Sequence, residues 1–219
     1  MENNKKALVV EDDANIAELL RLYLEKDGFD VSIAHDGAKG SAGDGMLLAF
    51  KKTYAENEEV KPVSSAALTG CGDVRSSLAY ADGKVYFTAK GGYLCSASVD
   101  GASGAISDVK TVALGAQSTS TPVVYGGYVY IGAGLGFDDP GRFIIADKNT
   151  LEVKNTVQLK GYAQCSMLLS TAYLESEGYL YFYSTYNTEP GGISLIKVKA
   201  DDVGKTELIE LFDAKGYEN

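Results

Sequence analysis

One phrase recurs three times along this sequence and limits what the chain can become. It is first written Leu78-Ala79-Tyr80-Ala81-Asp82-Gly83-Lys84-Val85-Tyr86-Phe87 and returns as Val123-Val124-Tyr125-Gly126-Gly127-Tyr128-Val129-Tyr130-Ile131. A third copy, with a longer turn, is Ala172-Tyr173-Leu174-Glu175-Ser176-Glu177-Gly178-Tyr179-Leu180-Tyr181-Phe182. Each copy reads as a hairpin: a strand, a tight glycine turn, and a second strand of alternating aromatic and β-branched residues. Two further strands follow each hairpin. They are Tyr93 to Val99 and Ile106 to Leu114 after the first, Arg142 to Ala146 and Val153 to Leu159 after the second, and Ile193 to Val198 and Glu207 to Phe212 after the third.

The period is about 45 residues with four strands, the spacing of a propeller blade. An earlier pair, Leu47 to Tyr54 and Val60 to Leu68, reads as the outer half of a preceding blade. The expected fold is therefore mainly β, a partial β-propeller of about three and a half four-stranded blades with very little helix. The half blade falls at 46–70 and the full blades at 71–115, 116–161 and 162–216. Such an open stack leaves an apolar face bare at each end. A closed ring needs about four blades or more, and two copies would supply about seven. Self-association through the end blades is expected, near Leu47–Tyr54 and Glu207–Phe212.

The blades resemble those of the quinoprotein-like (PQQ-like) bacterial propellers, where a strand ending in Ala-Asp precedes a Thr-Gly turn. Ile145-Ala146-Asp147 with Thr150 carries the likeness well, and Ala97 to Gly104 more loosely. The Trp usual in that repeat is absent, since the chain has none. Leu, Val and Tyr are expected to fill the layers between blades. The resemblance does not imply the quinone: no cofactor-contacting set can be mapped, no cofactor is expected, and the ligand-binding residues stay unassigned.

Nothing in the repeats reads as an active site, and no catalytic residue is assigned. Gly132-Ala133-Gly134-Leu135-Gly136 looks like a phosphate-cradling loop, but Phe137-Asp138-Asp139-Pro140 follows it where a dinucleotide site needs a helix start. It reads as a wide hairpin loop. The longest connections are that loop, as far as Arg142, and Tyr186 to Pro190; loops on a rigid scaffold are where binding usually resides. Asp138, Asp139 and Glu189 supply carboxylates there that could meet a cation. His35 is the one histidine and has no acid or nucleophile near it in sequence.

Residues 1–40 have another texture. Ala7-Leu8-Val9-Val10 is a buried-type strand ending in Glu11-Asp12-Asp13. Ile16, Leu19, Leu20, Tyr23 and Leu24 fall at helical spacing up to Gly28, and Phe29 with Val31 to Ala34 makes a second strand, giving β-α-β. Lys6 to Gly37 resembles the opening of a response-regulator receiver domain from bacterial two-component systems. That resemblance makes Glu11 and Asp12 the acidic pair that would hold Mg²⁺, a cation suited to oxygen ligands. The pattern then stops. Where the third strand and its phosphoacceptor aspartate should follow stands Phe50-Lys51-Lys52-Thr53-Tyr54-Ala55-Glu56, so no phosphoacceptor is assigned and the pair is expected to be inactive. Residues 41–45 read as a linker or fusion join before the repeats at 46–219.

With 20 basic and 30 acidic residues the net charge is -10, which argues against a nucleic-acid partner. Cys71, Cys95 and Cys165 show no metal-type spacing and read as small buried thiols. No run is long enough to span a membrane, and no secretory signal is read at the amino terminus. The halves imply different compartments: receivers are cytoplasmic, and propellers of this kind are commonly exported. The function expected is a non-catalytic propeller scaffold, binding a protein or small ligand and carrying a non-functional receiver fragment. The alternative is a two-component response regulator with a β-repeat output region.

Overall fold

The structure is a computed structural model, and it describes residues 5–10, 14–26, 29–34, 44–51, 54–55, 58–134, 141–163, 165–186 and 191–214. The amino-terminal unit is β1 (Lys5–Val10), α1 (Ala14–Lys26) and β2 (Phe29–Ala34). β1 and β2 pair in parallel, from Lys5 against Phe29 to Val10 against Ala34, and form a two-stranded sheet. On α1, Arg21 holds Glu18 at 2.5 Å and Glu25 at 2.9 Å, pairs that suit the i,i+3 and i,i+4 geometry of a helix surface. The β-α-β unit is present; its likeness to a receiver rests on sequence alone.

The rest of the described chain is antiparallel. β3 (Met46–Ala49) and β4 (Ser64–Ala67) form a two-stranded sheet. Both strands are shorter than the sequence suggests. After Phe50 the alternation gives way to charge, and the Tyr54 hydroxyl, which accepts from Lys51 N–H at 3.2 Å and donates to the Lys61 carbonyl at 2.9 Å, ties the segment into a loop.

Three four-stranded sheets follow, each in sequential order. The first is β5 (Ala79–Ala81), β6 (Lys84–Ala89), β7 (Tyr93–Val99) and β8 (Ile106–Ala113). The second is β9 (Val123–Tyr125), β10 (Tyr128–Ala133), β11 (Arg142–Asp147) and β12 (Val153–Gln158). The third is β13 (Leu168–Ser170), β14 (Tyr179–Tyr186), β15 (Gly192–Lys199) and β16 (Asp202–Asp213). The first hairpin turns through Asp82 and Gly83, both at positive φ (51° and 78°), as a tight turn matched to strand twist requires.

The third hairpin departs from the sequence reading. Its first strand is Leu168–Ser170, upstream of the Ala172-Tyr173-Leu174 phrase, and the ladder runs Leu168 to Tyr183 and Ser170 to Tyr181. Between the strands, Leu174–Glu177 closes a single helical turn, α2, stopped by Gly178 at φ 74° with its N–H on the Leu174 carbonyl. The acidic Leu-Glu-Ser-Glu run favours that turn over a ladder.

Sheets stack through three cores. Leu47 and Leu68 meet Val85, Phe87, Cys95 and Ala97. Tyr86 and Leu94 meet Val129, Ile131 and Ile144. Tyr130, Phe143 and Leu159 meet Leu180, Phe182, Ile196 and Val198. Accordingly β4 lies beside β8, β5 beside β9, and β12 beside β16. In the last core the Tyr130 and Phe182 rings sit 4.4 Å apart and Phe143 is 5.1 Å from Phe182. Full burial of one such ring stabilises by about 2–3 kcal/mol.

Close stacking needs the backbone to fold tightly where one sheet hands over to the next. Leu114 N–H donates to the Gly92 carbonyl at 2.7 Å, and Leu159 N–H to the Gly141 carbonyl at 2.7 Å. Gly92 has φ 89°, and a Cβ there would lie 2.8 Å from the Ala116 carbonyl oxygen. A Cβ at Gly141 would lie 2.3 Å from the Gly161 carbonyl oxygen. Opposite these joints, outer turns are closed by aspartates. Asp147 accepts from Thr150 N–H at 2.8 Å and Asn149 N–H at 2.9 Å, and Asp100 accepts from Ser103 N–H at 2.7 Å.

Two predictions follow from this arrangement. Gly126 also has positive φ (58°) but open space around it, so Gly126→Ala should cost about 1 kcal/mol, the strain alone. Gly92→Ala adds a backbone clash and should cost about 3 kcal/mol, read from urea midpoints with unchanged slope. The second concerns Asp147, whose carboxyl the Thr150 and Asn149 N–H groups hold below the usual range. A depressed folded pKa contributes stability that is present above the unfolded value and is lost as pH falls through the folded one. Asp147→Ala should therefore cost about 1 kcal/mol at neutral pH, a modest figure because the turn is solvated. That difference from wild type should vanish in acid, below the usual carboxylate range.

Candidate functional site

Most residues singled out by sequence for chemistry have no described position. Glu11, Asp12, His35, Asp138, Asp139 and Glu189 lie outside the described residues. Of the two long loops, Arg142 is described, and its guanidinium donates to the Gly115 carbonyl at 3.2 Å. Tyr186 is buried and its hydroxyl donates to Glu210 at 3.0 Å; burial first, and then that carboxylate, push the phenol above its usual pKa.

What the fold does bring together is a polar seam on the segments that lead into each innermost strand. Ser76 Oγ accepts from Thr88 N–H at 2.8 Å. Thr88 Oγ1, fully buried, donates to the Ser120 carbonyl at 2.9 Å. Ser118 Oγ donates to the Gly132 carbonyl at 2.7 Å, while Gly132 N–H donates to Ser120 Oγ at 3.3 Å. The seam crosses from sheet to sheet: Ser77 N–H donates to Thr121 Oγ1 at 2.9 Å, and Thr121 N–H to Ser166 Oγ at 3.2 Å. Beside it, Cys165 Sγ lies 2.9 Å from Thr185 Oγ1. Sequence reasoning passed over these residues, although Ser76-Ser77, Ser120-Thr121 and Cys165-Ser166 recur at nearly the blade period.

The seam also accounts for part of the glycine loop. Both backbone groups of Gly132 are engaged by serines, so they are not turned toward a phosphate. A cavity of about 270 Å³ opens next to the first joint, lined by Gly91, Gly92, Tyr93, Ala113, Gly115, Ala116 and Gln117. Its lining carries no ionisable side chain other than the Tyr93 phenol. Among the described residues no group of three or more His, Cys, Asp or Glu is placed to hold a metal ion. Cys71 and Cys95 are buried in one core, and desolvation pushes both thiols up, away from the thiolate form.

The ends of the stack are the other candidate surfaces. On the third sheet, Leu168 is 68% exposed, and Tyr173, Ile193, Leu211 and Phe212 are also exposed. Lys197 lies over Tyr179 at 4.3 Å, and Tyr181 hydrogen-bonds Glu177. Tyr183 pairs with Leu195 as Tyr86 pairs with Ser96 and Tyr130 with Ile145. Tyr86 and Tyr130 are buried under a following sheet, whereas Tyr183 stays half-exposed. At the other end Met46, Leu48 and Phe50 are exposed. No helix among the described residues is long and apolar enough to cross a membrane.

No protein-family model and no curated protein matches this sequence. Among solved structures, quinohemoprotein alcohol dehydrogenase from Comamonas testosteroni matches with a TM-score of 0.50 at 19% identity, covering 70% of this chain and 31% of that one. Quinohemoprotein alcohol dehydrogenase ADHIIG from Pseudomonas putida HK5 gives 0.48 at 16% identity, over 69% and 30%. BamB from Moraxella catarrhalis gives 0.41 at 18%, over 69% and 39%. The chain spans less than a third of the length of the first of these, and the likeness is one of fold: a partial β-propeller.

Proposed function

We propose that the chain is a non-catalytic propeller scaffold that works by binding, and that its end faces associate with a second copy. The observation that carries this reading is the pair of bare end faces: Leu168, Tyr173, Ile193, Leu211 and Phe212 at one end, Met46, Leu48 and Phe50 at the other. Apolar side chains clustered on an uncovered sheet face mark a surface that another protein covers. The order of the repeat also favours it: Leu94 and Phe143, each the second residue after its joint glycine, are buried under the following sheet, whereas Ile193 at the same place on the last sheet is exposed. The hydroxyl groups of the seam serve the fold, which supports a scaffold over a catalyst. The β-α-β unit is read as an appendage without phosphoryl chemistry, since the sequence after Gly37 does not follow the receiver pattern that would assign a phosphoacceptor.

Light scattering at micromolar concentration tests the association. Wild type should be a dimer or larger, and Leu211→Glu with Phe212→Glu should be a folded monomer. A monomeric wild type would overturn the reading. The same preparation, incubated with a small-molecule phosphodonor and Mg²⁺, should show no added phosphoryl group by intact mass; a gain would favour the response-regulator alternative.

A further inference from the structure

The β3–β4 sheet is built like the outer half of the other three. Its joint is the same: Leu68 N–H donates to the Gly45 carbonyl at 3.0 Å, as Leu114 does to Gly92, Leu159 to Gly141 and Ala214 to Gly191, each at 2.7 Å. The second residue after the joint glycine is buried toward the next sheet in each case where a next sheet exists, namely Leu47, Leu94 and Phe143. By position, β3 corresponds to β7, β11 and β15. Those strands are each paired on their inner side, Tyr93 with Ala89, Arg142 with Ala133 and Gly192 with Tyr186. Among the described residues, β3 has no strand on that side.

The open edge can be specified residue by residue. The Gly45 and Ala49 carbonyls accept from the β4 side, from Leu68 N–H and from Val63 N–H at 2.7 Å. By antiparallel alternation, the N–H and C=O groups of Met46 and Leu48 then point away from β4, into the gap. The gap is apolar as well. In the two complete cores a tyrosine from the second strand of the preceding sheet closes the inner side: Tyr86 over Val129 and Ile131, Tyr130 over Leu180 and Phe182. The corresponding core against β3–β4 places Val85 and Phe87 with Leu47, Leu68, Cys71 and Val74; the tyrosine packed against it, Tyr93, comes from β7, and among the described residues none comes from a preceding sheet. On the neighbouring innermost strand, Tyr80 is 70% exposed and Leu78, just before it, 50%.

We infer that this edge is an acceptor for a β-hairpin from another polypeptide. The hairpin's second strand pairs antiparallel with β3 through Met46 and Leu48 and sets an aromatic side chain opposite Ala49, over Val85 and Phe87. Its first strand lies beside Tyr80. The partner is thus a protein that presents an uncommitted two-stranded segment with alternating apolar residues; the hairpins β5–β6, β9–β10 and β13–β14 of this chain are each engaged in a complete sheet. Main-chain bonds along the edge supply affinity and the aromatic position supplies selectivity, the logic of strand addition. An isolated hairpin is only marginally stable in water, so it orders as it binds. The inference is separate from end-face association, since it uses a strand edge and not a flat sheet face.

The probe is a fluorescein-labelled synthetic peptide with the sequence of residues 121–134, which holds one such hairpin, added to the full chain and followed by anisotropy. Saturable binding is expected, together with slowed hydrogen exchange at the Met46 and Leu48 amides; a scrambled peptide should do neither. Leu48→Pro removes a donor that faces the gap while leaving the β4 ladder intact, and should weaken binding by about tenfold or more. Circular dichroism checks that this variant is folded, and if it is not, the exchange pattern in wild type decides. No saturable binding, or binding that protects residues away from β3, would overturn the inference.

Discussion

Everything in the repeat region depends on one constraint: a four-stranded sheet of this size has two apolar faces and cannot keep either in water. The solution is to interleave side chains of successive sheets. Tyr86 reaches toward Val129 and Ile131, and Tyr130 reaches into Phe143, Leu180 and Phe182. Because rings and branched chains from both sides share one layer, the sheets must approach closely along their whole length. The joints at Gly92 and Gly141 exist for this reason. A side chain at either position would meet a carbonyl oxygen of the departing segment, and the sheets would splay.

Polar groups follow from the same approach. Each segment that carries the chain from an outer strand to the next innermost strand runs through buried territory, where its backbone needs partners. Ser76, Thr88, Ser118 and Ser120 supply them, and Thr121 and Ser166 carry the seam across sheet boundaries. On the opposite side Asp100 and Asp147 close their turns, and Lys148 reaches Asp82 at 2.8 Å to join the first sheet's turn to the second's. The chemistry-bearing side chains of both sides are thus largely committed to architecture. The surfaces proposed for binding lie where the repeat is interrupted: two end faces and one inner edge.

How much of this was legible in the sequence depended on periodicity. The Asp82-Gly83 and Gly126-Gly127 hairpins could be read directly, because an alternating aromatic strand beside a glycine turn has few other solutions. The absence of Trp pointed to Leu, Val and Tyr in the layers, and Leu94, Val129 and Tyr130 are buried there, though Phe87, Phe143 and Phe182 share that work. The third hairpin misled, because Leu174 to Glu177 fits a helical turn as well as a strand and only the pairing of Leu168–Ser170 with β14 decides. The half blade was read too long because Phe50 and Val60 look strand-like until the Tyr54 hydroxyl is seen binding both flanks of the loop. The serine seam was missed because side-chain-to-backbone bonds have little local signature, although their recurrence before each innermost strand was visible. Glu11 and Asp12 were singled out only through resemblance, and they lie outside the described residues.

The central claim is that stability resides in separate inter-sheet cores, each shared by two neighbouring sheets. Double-mutant cycles test it most directly. Tyr130→Ala and Phe182→Ala remove rings that touch within one core, 4.4 Å apart, and should show a coupling of about 1 kcal/mol. Phe87→Ala and Phe182→Ala act in different cores and should add to within about 0.5 kcal/mol. Equal coupling in both cycles would contradict the account, because the layers would then form one continuous core.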